Sequence, residues 1–295
     1  MHLLNDSHKL LIVAFLVATM FSIGLSTAFD DLRTLFASRA FVLRALLTNL
    51  VVVPLIGFAV AHLMPIPEPS KLTIILLACV PGGLGAAQFT SKVAGGKSNA
   101  GAMIVLLSIA AIVVSPLVLH FALPPGVDLA LPYGRVLGVF ALCVIVPLAV
   151  GVALCERNPG IAPALAKITG LIGIAAFIGF SILAKDLRSA ALKSLDLASV
   201  GAMLLFIVAS MAAGWLMGGG RREYRQILAT SSSMRNAALC LVIARNATSG
   251  AAVMPALIAF SLLMVPPNGL LTFISTLRIR RSAAREKEGG QARAS

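Results

Sequence analysis

The run from residue 227 to 243 is apolar apart from one cluster. Within "ATSSSMRNAAL" (residues 229–239), Thr230, Ser231, Ser232, Ser233 and Asn236 surround a full positive charge, Arg235. A guanidinium left unpaired near the centre of a hydrocarbon layer costs from about 2.5 to more than 10 kcal/mol, so something must solvate it. Its donors can bond backbone carbonyls opened by a helix break, which makes the side chain a fixed internal cation. Its planar fork can instead grip a carboxylate, sulfonate or phosphate brought by a substrate. The third possibility is an outward reach to the membrane surface. All three stay open at the level of sequence.

A second candidate lies in "LTIILLACVPGGLGAAQFTSKVA" (residues 72–94), where Pro81-Gly82-Gly83 interrupts another apolar run. Proline removes a backbone donor and glycine holds a helix weakly. A half-helix restarting near Leu84 and Gly85 would present free N–H groups and a partial positive charge to an anion. Asn236 opens a half-helix in the same way at the second break, either donating to a carboxylate or capping its own helix. The candidate substrate site is therefore Gly83, Leu84, Gly85, Ser231, Ser232, Ser233, Arg235 and Asn236.

Other residues carry less chemistry. Cys79, Cys143, Cys155 and Cys240 have no close spacing, and three lie in apolar runs; they read as small buried hydrophobes and not as a disulfide framework or metal site. Gly95-Gly96-Lys97-Ser98 ends like a phosphate loop but lacks the upstream glycine and the preceding strand. His62 and His120 sit near outer span ends, and titration-linked coupling is the alternative reading. Asn246-Ala247-Thr248 fits a glycosylation triplet with no expected use. No Ser/His/Asp arrangement or metal cluster is recognisable. The expectation is no catalytic residues, no metal and no cofactor: not an enzyme.

These candidates need elements to hold them. Of 295 residues, 59% are hydrophobic and 12% charged, against about 25% charged in soluble proteins. The apolar residues come in blocks of about 20, enough helix to span the bilayer core, and the period-2 pattern of a barrel is absent. The pattern predicts an all-α polytopic membrane protein of about nine spans: 10–29, 41–63, 72–90, 99–122, 133–154, 164–184, 197–218, 226–245 and 251–276. The first is read as a retained span and not as a cleaved signal. Interrupted spans at matching places in two halves (about 10–122 and 133–276) point to an inverted-repeat transporter with its site at the midplane. Residues 1–276 form one transmembrane domain, and 277–295 read as a disordered basic tail.

The net charge of +13 is distributed by topology. One alternating set of inter-span segments carries sixteen Lys/Arg and the opposite set seven. The positive-inside bias puts the N-terminus outside and the C-terminus in the cytoplasm. Nucleic acid is not needed to explain the charge; lipid bilayer and a small organic anion are the expected partners. Gly218-Gly219-Gly220 before Arg221-Arg222 reads as a flexible turn with a positive anchor. All eleven acidic residues fall outside the spans or at their ends, so no carboxylate reaches the midplane for a conventional ion or proton relay.

Three stretches resemble the bile acid:sodium symporter family: "MFSIGLSTAFDDLRTLFASRAFVLRALLTNLVVVPL" (Met20 to Leu55), "VPGGLGAAQFTSKVAGGKSNAGA" and "SSSMRNAALCLVIA". The resemblance implies core and panel domains, two unwound crossover helices in the core, and organic anions carried by alternating access with sodium. It assigns Asn236 to the substrate side. It implies ion ligands at Asn49, Gln88, Thr90 and Ser231, yet the family's pattern fails at most of them. The acid expected three residues before the methionine is Ser231, and the following glutamine is Arg235. The Ser-Asn pair after Pro-Gly-Gly falls at Ala86-Ala87, the hydroxyls of the next helix fall near Ala100 and Ile104, and the glutamine five before the second-span proline is Asn49. The expectation is a secondary carrier of small organic anions in a bacterial inner membrane with weak or absent sodium coupling. The alternatives are a conventional sodium-coupled symporter and a non-transporting membrane receptor. Substrate, direction of transport and oligomeric state are not legible.

Overall fold

The computed structural model describes residues 6–81, 97–122, 141–183, 195–245 and 250–278, with 89, 138, 185 and 189 as isolated positions. The chain is helical throughout these segments, with no strand among the described residues. The elements are α1 (Asp6–Leu25), α2 (Phe29–Ala37), α3 (Arg39–Leu47), α4 (Val53–Leu63), α5 (Glu68–Cys79), α6 (Lys97–Ala122), α7 (Val146–Arg157), α8 (Ala162–Leu183), α9 (Leu197–Met217), α10 (Arg222–Ser233), α11 (Ala237–Arg245) and α12 (Gly250–Leu263). Beyond a turn at Met264 the helix continues over 265–278.

Among the described residues, four helices are long and apolar enough to cross a membrane: Arg39–Leu63, Ala162–Phe180, Leu197–Met217 and Val253–Arg278. A fifth span arises if α1 and α2, bent by 78°, count as one. At 12, 12 and 9 residues, α5, α10 and α11 are half-length elements. A 12-residue helix rises about 18 Å against a hydrocarbon core of about 30 Å.

Two prolines shape the entries to α4 and α7. Pro54 and Pro147 have no N–H to continue the ladder, and just before each the backbone widens into a π-helical turn, at Thr48–Val52 and Ala141–Ile145. The first turn carries Asn49, which is fully buried. Asp196 starts α9 by accepting from the Ser199 amide at 3.2 Å, an ordinary helix cap.

Packing falls into two groups. α1 lies along α7 and α8, and its crossing with α7 is close because Gly24 faces Gly151. A Cβ on Gly24 would fall 2.3 Å from the Leu148 carbonyl oxygen, and one on Gly151 would fall 2.6 Å from that of Phe21. Small residues of this kind let membrane helices approach backbone to backbone. In the second group, α9 lies against α10 and α4, α4 against α5, and α11 against α12. Gly214 is the close point between α9 and α10: a Cβ there would sit 2.4 Å from the Leu228 carbonyl oxygen. A buried cluster of Leu35, Phe41, Met103, Leu107, Tyr224 and Leu228 ties the start of α10 to α2, α3 and α6. Large apolar side chains such as Leu171, Ile178 and Ile182 on α8 face outward, the arrangement of a helix bathed in lipid.

Candidate functional site

The eighth apolar run is broken as its polar residues require. α10 ends at Ser233, Met234 and Arg235 are non-helical, and α11 begins at Ala237. Ser231 and Ser233 turn back on their own helix, donating to the carbonyls of Leu228 at 3.2 Å and Ala229 at 2.9 Å. Such local bonds compete with helix continuation. Asn236 caps the next half-helix: its Oδ1 accepts from the Leu239 amide at 3.1 Å. The first broken run stops in a matching way, with α5 ending at Cys79 ahead of Pro81.

The two breaks touch. Arg235 is 1% exposed, which rules out an outward reach to the membrane surface. Its Nε donates to the Leu77 carbonyl at 2.9 Å and its Nη2 to that of Ala78 at 2.6 Å. Its Nη1 donates to Asn49 Oδ1 at 3.1 Å. The Cys240 thiol points at the Leu76 carbonyl at 3.8 Å, and the Asn236 amide at that of Val80 at 3.4 Å. At the end of α5 the Leu77 carbonyl accepts from the Val80 amide at 3.2 Å, whereas a helix end leaves its other last carbonyls without onward partners in the helix; donors from the second break reach four of the five between Leu76 and Val80. A cation at a helix C-terminus is also favoured by the helix dipole, by up to about 2 kcal/mol when partly buried.

Arg235 is the one charged side chain buried among the described residues. No Asp or Glu joins it, and no group of three His, Cys, Asp or Glu able to hold a metal occurs among the described residues. Its charge is met by oxygen dipoles: two backbone carbonyls and the amide of Asn49. Asn49 is held for this by donating its Nδ2 to the Ala45 carbonyl at 3.1 Å.

Of the residues singled out from sequence, Ser231, Ser232, Ser233, Arg235 and Asn236 fall at the second break, and Asn49 reaches it from the π-helical turn before α4. Gly83, Leu84, Gly85, Gln88 and Thr90 lie outside the described residues, as does the half-helix restart expected near Leu84. The described geometry therefore pairs the electronegative end of α5 with the electropositive start of α11. Ser232 and Thr230 have buried hydroxyls without a hydrogen-bond partner among the described residues, and a buried polar atom of that kind calls for an explanation. His62 is exposed at the end of α4 and bonds the Phe58 carbonyl, away from the site.

One participant had not been singled out. Asn268, buried on the last helix, accepts from Ser233 Oγ at 2.9 Å and donates to the Met264 carbonyl at 2.8 Å. A lone asparagine in "PPNGLL" was the available signal. One turn on, Thr272 donates to the Phe89 carbonyl at 3.2 Å, so the last helix touches the chain on the far side of the first break as well as the end of α10.

The chain is similar to a curated protein of Oryza sativa subsp. japonica named "Probable sodium/metabolite cotransporter BASS2, chloroplastic", at 32% identity over 158 residues, covering 52% of this chain and 36% of the relative. The matched region thus spans about a third of the relative's length. The model of the sodium bile acid symporter family matches residues 13–213, ending short of α10 and of Arg235. With more than half of its 295 residues covered by that match and with helices able to cross a membrane, the chain belongs to the sodium bile acid symporter family.

Proposed function

We propose that the protein is a secondary carrier of small organic anions that works by alternating access, with weak or absent sodium coupling. The observation that carries this reading is the contact between the two helix breaks, closed by Arg235 on the Leu77 and Ala78 carbonyls and on Asn49. Carbonyl and amide oxygens of this sort are ligands for a hard cation. A tethered guanidinium already occupies three of them, and the carboxylate that would help an ion to bind is missing from the buried residues described. Arg235 thereby does the work of a bound cation, holding the crossing together without having to be loaded. The hydroxyls of Ser232 and Thr230, without a partner among the described residues, and the amide-rich start of α11 are groups a substrate anion can use. α1, α7 and α8 would form the panel and the second packing group the core, within a nine-span domain of two inverted repeats. The side rich in arginine would face the cytoplasm of a bacterium, with the N-terminus outside.

Uptake into membrane vesicles with sodium replaced by choline tests the reading. Uptake that persists supports it, and collapse of uptake contradicts the weak-coupling part. A second reading, ordinary sodium symport, is favoured by the names of the family and of the rice relative, and the same assay separates the two.

A further inference from the structure

At the arginine-rich side of the molecule, two turns close on a second site. The α2–α3 junction at Ser38 and the α9–α10 turn at Gly218–Arg221 line an open pocket of about 540 Å³. Arg39, Arg44 and Arg221 contribute to its wall, and all three are exposed. The pocket has a built floor. Phe41 stacks on Tyr224 with ring centroids 3.9 Å apart and planes at 12°. The Tyr224 hydroxyl pairs with Ser38 at 3.0 Å and accepts from Arg221 Nη1 at 2.9 Å. The Arg221 guanidinium lies 4.5 Å over the tyrosine ring, a cation–π contact that fixes its plane. Gly219, at φ 78°, gives the α9–α10 turn a backbone shape L side chains avoid, and a Cβ there would collide with Arg44.

The charge of this pocket is not balanced from within. Arg221 pairs with Glu223 at 3.3 Å, but Arg39 and Arg44 make no ion pair among the described residues. We infer that the pocket binds the phosphate of an anionic phospholipid headgroup from the arginine-rich leaflet. Guanidinium forks suit phosphate oxygens, and basic pockets at the cytoplasmic membrane surface take acidic headgroups. What points to lipid over a soluble phosphate is the flank. Phe36, Leu43 and Leu216, within a few residues of the pocket in the chain, are 51%, 68% and 78% exposed, and acyl chains leaving a headgroup would cover them.

The test uses the full chain in nanodiscs of phosphatidylcholine, alone or mixed with phosphatidylglycerol, read by thermal midpoint and by lipid retained in native mass spectrometry. The expected result is a higher midpoint with phosphatidylglycerol and retention of that lipid. Arg39→Gln with Arg44→Gln should lower retention by roughly tenfold or more. Arg157→Gln, an exposed arginine elsewhere, should leave it unchanged. If the double variant does not fold, Arg39→Gln alone is read the same way. Equal loss in Arg157→Gln, no preference for phosphatidylglycerol, or the same midpoint rise from millimolar inorganic phosphate in phosphatidylcholine would each overturn the assignment.

Discussion

Where the first interrupted run stops, at Cys79, the chain presents oxygens; where the second stops, at Ser233, it presents nitrogens. The carbonyls of Leu77, Ala78 and Val80 face outward from one break, and the guanidinium of Arg235 and the amide of Asn236 meet them from the other. Proline and glycine open a helix by subtraction, leaving acceptors behind. Serines, a charge and a capping asparagine open one by competition, bringing donors along. A break of either kind alone would bury unsatisfied groups at a cost of about 1–3 kcal/mol each. Set face to face, they satisfy each other, and a discontinuous backbone at membrane depth is tolerable where protein covers it.

Several substitutions sharpen or break this complementarity. Arg235→Ala should have the largest effect. It orphans the Ala78 carbonyl and the Asn49 oxygen and leaves the Leu77 carbonyl with the Val80 amide alone, and the expected loss in unfolding free energy is at least about 3 kcal/mol, read by thermal unfolding in detergent or lipid. Asn49→Ala removes a single oxygen from the guanidinium and should cost about 1.5–3 kcal/mol; a loss as large as that of Arg235→Ala would mean that Asn49, and not the carbonyls, anchors the charge. Gly214→Ala acts from a distance by pushing α10 off α9, and about 1–3 kcal/mol is expected from overpacking, with weakened substrate binding as the sign that the second break has moved. Asn236→Ala should cost about 1 kcal/mol, the worth of an N-cap. Ser231→Ala, whose hydroxyl bonds its own helix at the Leu228 carbonyl, should fall within about 0.5 kcal/mol of the parent.

The second break was legible because its residues are wrong for their surroundings: a charge and three serines in an apolar run announce themselves. The first was legible from Pro81. Carbonyls of a helix break were one of the readings for Arg235; which ones receive it could not be read, since every residue has one. Asn49 was reached through the resemblance, and the π-helical turn that buries it follows from Pro54 only once the helix is seen. The approach of α10 to α9 at Gly214 left no mark beyond a glycine. The span count was read from apolar blocks; among the described residues four helices meet the full length and apolarity, and α5, α10 and α11 are half-elements of the two blocks read as interrupted.

The central claim is that a tethered cation stands at the crossing of the broken helices. A sodium titration of thermal stability, with choline holding ionic strength constant, tests it in the parent and in Arg235→Ala. The parent should give a flat response. The variant, with three oxygens released by the guanidinium, should show a lower midpoint that sodium partly restores and choline does not. A parent protein that sodium itself stabilises, or a variant that loses nothing and gains no response, would contradict it.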